Sequence, residues 1–86
     1  MFVIEDEAHA EWLGEFPTLE AATAELRRLK EIPWDEAPNV AACTSWRTCG
    51  RNYEVVEYDP SSEPWRMIRR LPALNISAAQ KEWLLP

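Results

Sequence analysis

Residues 19–31, LEAATAELRRLKE, constrain this chain more than any other stretch. Leu19, Ala22, Leu26 and Leu29 fall at offsets 0, 3, 7 and 10, which places them on one stripe of an α-helix. Thr18 is a good N-cap, and Glu20 in the first turn suits the positive end of the helix dipole. Arg27, Arg28 and Lys30 sit near the other end, and Pro33 stops the helix. The apolar side of a single main helix must be buried on something else, and a sheet is the simplest cover.

The flanking segments supply that surface. Phe2-Val3-Ile4 and Trp12-Leu13-Gly14-Glu15-Phe16 read as two strands joined by the turn DEAHA. Tyr53-Glu54-Val55-Val56-Glu57-Tyr58 is a third strand by composition. After the turn cluster Asp59-Pro60-Ser61-Ser62-Glu63-Pro64, residues 65–71 return as its partner, with Trp65, Met67, Arg69 and Leu71 expected on one face. Pro72 interrupts this strand, and Leu74-Asn75-Ile76 extends it or forms an edge. Ser77-Ala78-Ala79-Gln80 has the capping-box pattern and predicts a short C-terminal helix to about Leu84.

The expected architecture is therefore α+β: a small antiparallel sheet of two β-hairpins packed on one main helix. Its order is β-β-α, a long loop, then β-β and a short α. With 86 residues the chain reads as one domain, 1–86. Its core is thin, because a chain this short buries only roughly 60–65% of its unfolded surface. Five tryptophans compensate, each able to bury about 150–250 Å².

Charge separates the two halves. Residues 1–36 carry ten acids and three bases; residues 37–86 carry five acids and six bases. The net charge of −6 argues against nucleic acid as an electrostatic partner. No apolar run approaches the ~20 residues of a membrane span, so no membrane partner is expected. The apolar start of MFVIEDEAHA ends at Glu5 with no basic residue before it, unlike a secretory leader. The expected setting is cytoplasmic, with Cys43 and Cys49 reduced.

Residues 33–51 show neither helical nor strand periodicity and exceed the usual ~4–6 residues of a connection. Within them, residues 37–53 contain no acid, only Arg47 and Arg51. The segment admits five chemistries. Zinc would need Cys43, Cys49, the lone His9 and a carboxylate, yet the cysteines have five residues between them rather than the usual two to four. A redox pair of Cys43 and Cys49 is compatible with two thiols near arginines, but the spacing is not Cys-x-x-Cys. Nucleophilic catalysis by either thiol lacks a nearby base in sequence. Small-molecule anion binding would use Arg47, Arg51 and the hydroxyls of Thr44, Ser45 and Thr48; against it, the arginines can simply pair with the acidic first half and hold the loop down. Protein interaction would use Trp34, Trp46, Arg47 and Arg51 as contact residues, with Asn39 and Thr48 as adaptable hydrogen-bonding groups.

The favoured expectation is a non-enzymatic protein-interaction or self-associating module presenting loop 33–51. The alternative is an anion-binding or thiol-dependent site in the same loop. No cofactor and no metal are expected.

Overall fold

The computed structural model describes residues 1–6, 10–40 and 50–86. Its elements, in chain order, are β1 (Phe2–Asp6), β2 (Glu11–Phe16), α1 (Leu19–Lys30), β3 (Gly50–Asp59), β4 (Arg66–Ser77) and β5 (Lys81–Trp83). The strands form one antiparallel sheet in the order β2-β1-β3-β4-β5. The fold is mixed α+β, with one helix among the described residues. β1 joins the two hairpins by pairing with β3 as well as β2, from Phe2 opposite Glu57 to Asp6 opposite Tyr53.

The helix forms where its stripe and cap place it. The Thr18 hydroxyl accepts from the Ala21 amide, satisfying one of the unpaired N–H groups of the first turn. Ala22, Leu26 and Leu29 are buried against Ile4, Tyr53, Val55, Ala73, Leu74 and Ile76 of the sheet. Phe2, Leu13, Phe16, Ile32, Trp34, Trp83 and Leu85 close the margins of this core. No described tryptophan is fully buried; the core is aliphatic apart from Tyr53, and Trp34 and Trp83 pack at its margin.

Three bulges shape the sheet. Val3 pairs with Glu15 but Glu5 with Trp12, so Leu13 and Gly14 together oppose Ile4. Tyr53 pairs with Leu74 and Glu54 with Pro72, which makes Ala73 the extra residue; its carbonyl accepts from the Leu84 amide at 2.8 Å. Glu57 pairs with Arg69 and Tyr58 with Met67, leaving Ile68 as the third. A bulge reverses the alternation of side chains along a strand. Met67 therefore shares the face of Tyr58, while Leu71 opposite Val55 faces the helix, which corrects the expectation that Trp65 to Leu71 alternate regularly. Pro72 is accommodated inside one long strand because it lies beside a bulge, beyond the three residues that β5 covers.

The predicted C-terminal helix is corrected to a strand. β5 pairs with β4 from Leu74–Trp83 to Ile76–Lys81, and the Asn75 amide donates to Glu82 at 3.2 Å. The expected loop also ends earlier than read: β3 starts at Gly50, where an added Cβ would run into the Ile76 carbonyl oxygen.

Candidate functional site

The expected site residues separate into three groups. Cys43, Trp46, Arg47, Thr48 and Cys49 lie outside the described residues, as does His9. Trp34 is half-buried and packs on the helix-side core. Asn39 and Arg51 are described, and the structure places both inside rather than on a presented surface.

Asn39 and Arg51 hold the described start of the loop to the domain. The Asn39 amide donates to the carbonyls of Leu29 at 2.9 Å and Ile32 at 2.8 Å, which closes the end of α1. Its own oxygen accepts from the Tyr53 hydroxyl at 2.7 Å. The Arg51 guanidinium donates to the carbonyls of Pro38 and Val40, both at 3.1 Å, and to Asp6 at 3.2 Å and Glu11 at 3.0 Å. Burial opposes the charge on Arg51, but the hydrogen bonds to Glu11 and Asp6 outweigh it and raise its pKa. Burial likewise pushes the Tyr53 hydroxyl up to about 12, with Arg51 opposing and the Asp6 and Glu11 charges reinforcing the shift. Every donor direction of Arg51 used here points to a group of its own chain, so this cluster acts as a clamp.

The second feature lies on the opposite face of the sheet. Ile4, Tyr53 and Val55 point to the helix; Val3, Glu5, Glu54, Val56 and Tyr58 point away from it. Among the described residues no helix covers that face, yet Val3 and Val56 are fully buried there. The face supplies its own cover. Tyr58 contacts Trp12 with ring centroids 5.7 Å apart and Trp65 at 6.1 Å, both tilted. Beside the rings, the Arg70 guanidinium lies 3.5 Å from Glu5 and 3.4 Å from Glu54. The Tyr58 hydroxyl donates to the Glu5 carboxylate. Burial first, then this bond and the Glu5 charge, push Tyr58 up to about 12, with Arg70 opposing.

Trp12, Glu15, Tyr58, Glu63, Pro64 and Trp65 together line an open groove of about 460 Å³ on this face. Trp12 is 55% exposed, although indole is among the most costly side chains to leave in water. Glu15 and Glu63 are exposed, and neither has an ion pair among the described residues. The groove offers aromatic faces between carboxylates, a setting that suits a flat or cationic group.

Sequence reasoning placed Trp12 and Trp65 on strands but did not bring them together. The available signal was Gly14: a glycine inside a strand marks a bulge, which here turns Trp12 and Glu15 to one side. Among the described residues, no three His, Cys, Asp or Glu side chains are grouped to hold a metal ion, and no helix is long and apolar enough to cross a membrane. Comparison of the chain with known protein families, with curated proteins and with solved structures finds no match.

Proposed function

We propose that this chain is a non-enzymatic protein-interaction module whose contact surface is the uncovered sheet face centred on Trp12, Tyr58 and Trp65. One observation carries the reading: three aromatic rings line a groove on the face that no described helix covers, with Trp12 more than half exposed. Tryptophan and tyrosine are the residues that dominate binding hot spots, because they offer large rigid area with a polar edge.

Loop 33–51 keeps a second reading as the presented segment. It is favoured by the clamp: Arg51 fixes the carbonyls of Pro38 and Val40, the last described residues before 41–49, so that segment departs from an anchored base. Here Trp46, Arg47 and Thr48 would supply the contact. The anion-binding and thiol-dependent readings of Arg47, Cys43 and Cys49 belong to the same segment and stand behind it.

One experiment separates these readings. Peptides selected against the folded protein from a random displayed library are titrated into ¹⁵N-labelled protein. Shifts centred on Trp12, Tyr58 and Trp65 support the sheet face, and shifts centred on 33–51 support the loop. Movement of the Trp12 and Trp65 signals on raising the protein concentration alone identifies a second copy as the occupant. A library that yields no binder, with no concentration dependence, removes the interaction reading.

A further inference from the structure

Resting on the sheet-face reading, we infer that the groove of Trp12, Tyr58 and Trp65 receives an arginine side chain from a basic segment of a partner protein, held between aromatic faces and the carboxylates of Glu15 and Glu63.

The charge of the face points to a cation. Its described residues bring five carboxylates, Glu5, Glu15, Glu54, Glu63 and Glu82, against the single guanidinium of Arg70. Arg70 is already engaged by Glu5 and Glu54. The other nearby arginines are also engaged: Arg66 lies 3.4 Å from Asp59 and Arg69 lies 2.8 Å from Glu57. Glu15 and Glu63, which line the groove itself, have no such partner among the described residues. The net charge of −6 adds long-range attraction for a basic segment.

The rings point the same way. On the other side of the sheet this chain fills the face of an indole with its own cations: Arg27 lies 5.4 Å and Lys30 5.7 Å from the Trp83 ring centre. Among the described residues no cation lies over Trp12, Tyr58 or Trp65. The same ring chemistry is thus saturated internally at Trp83 and open at the groove. Arginine fits better than lysine, because its planar guanidinium stacks on an indole and can bond a carboxylate through its edge at the same time.

The test uses the full chain and three probes: the capped peptide Arg-Arg-Gly-Arg, the same peptide with citrulline replacing each arginine, and spermidine. Binding is followed through the indole N–H signals of ¹⁵N-labelled protein. The arginine peptide is expected to move Trp12 and Trp65 and to bind about tenfold tighter than the citrulline peptide, which keeps the shape without the charge. Trp12→Ala should weaken binding by about tenfold while Trp12→Phe, which keeps a π face, retains part of it. Glu15→Gln with Glu63→Gln should weaken it several-fold and flatten its salt dependence. Glu20→Gln, exposed on α1, should leave it unchanged.

Equal binding of the citrulline peptide overturns the cation and leaves the sheet face standing as a neutral surface. Spermidine binding as tightly as the arginine peptide overturns the assignment to a protein segment. Shifts spread over Glu20, Glu25, Asp35 and Glu36 instead of the groove show attraction to an acidic protein in general and also overturn it. If no probe moves the groove signals up to millimolar concentration, the inference fails; the sheet-face reading is then judged separately by the library selection.

Discussion

Trp12 and Glu15 lie three positions apart on one strand and line the same groove. A regular strand would send them to opposite faces, because its side chains alternate. The bulge at Leu13 and Gly14 removes that parity. It turns Trp12 and Glu15 to the open face and lets both Leu13 and Phe16 pack on the helix-side core. One inserted residue thus serves the core and the groove together.

Gly14 makes the bulge possible. Its φ of +128° is a conformation that side-chain-bearing residues rarely adopt, and an added Cβ would sit 3.1 Å from the Phe16 ring. Gly14→Ala should destabilise the domain by about 1–3 kcal/mol, visible as a lower urea midpoint with an unchanged slope. Deleting Gly14 should be tolerated better, because the remaining Trp12-Leu13-Glu15-Phe16 alternates regularly, with Trp12 and Glu15 on the open face and Leu13 and Phe16 on the core. Wild-type stability in Gly14→Ala would show that the bulge does not need glycine.

Arg51 is the side chain whose removal should release the described start of the loop. It ties β3 to Asp6 of β1, to Glu11 of β2 and to the carbonyls of Pro38 and Val40. Removing one partner of a buried ion pair costs about 3–5 kcal/mol, so Arg51→Met should be strongly destabilising. Arg51→Lys keeps a charge but loses the fork, and should fall between. Hydrogen exchange is the discriminating measurement: faster exchange of the Val40 amide, which donates to the Glu36 carbonyl at 3.0 Å, should precede global loss of protection in the lysine variant. Uniform change at all amides would argue against a local clamp.

The two tyrosines predict an alkaline limit. Both are pushed from the ordinary value near 10 up to about 12, each chiefly by burial. A hydroxyl whose folded pKa is raised favours the folded state below pH ~10, and that contribution is lost as pH rises from about 10 to about 12, because the unfolded chain releases its protons first. Absorbance of tyrosinate should therefore stay flat through pH 10 in the folded protein, and the melting temperature should fall across the same window. Tyr58→Phe should remove one of the two titrations. A tyrosinate signal developing at pH 10 with the fold intact would contradict both assignments.

Much of this fold was legible because it is locally encoded. The stripe of Leu19, Ala22, Leu26 and Leu29 and the cap at Thr18 specify α1 within the segment itself. The C-terminal strand was not legible, for a reason visible at Ser77. Its hydroxyl accepts from the amides of Ala79 at 3.2 Å and Gln80 at 3.3 Å, the bonds a helix cap would make. The chain instead closes a turn, with the Ser77 amide donating to the Gln80 carbonyl at 2.9 Å, and Lys81 to Trp83 pair with β4. The open edge of β4, which no local pattern reports, decided the outcome. The groove was hidden for the same kind of reason: Trp12 is far from Tyr58 and Trp65 in sequence, and only the pairing of β1 with both β2 and β3 brings it to them. Arg51 was half legible. Its place in an acid-free segment already admitted pairing with the acidic first half, but only the fold shows that the carboxylates are those of Asp6 and Glu11.

The edge of β4 yields the last expectation. β5 covers Leu74 to Ile76, Trp83 packs on the core margin, and the Leu84 amide closes the Ala73 bulge. Beyond that cover the strand is open, with Met67 and Ile68 about half exposed and Arg66 and Arg69 beside them. Charged residues along an open edge discourage pairing with another chain, whereas the Leu74–Ile76 stretch has no such protection once uncovered. Ending the chain after Gln80 should therefore lower the melting temperature and introduce concentration-dependent association, measured by sedimentation velocity. Replacing Ile76 by lysine would damage the core as well, so the cleaner control is Asn75→Lys in the shortened chain. Asn75 points away from the helix and is half-buried, and a charge there should restore the monomer without restoring the melting temperature. If the shortened chain stays monomeric at all concentrations, β5 stabilises the core without guarding the edge.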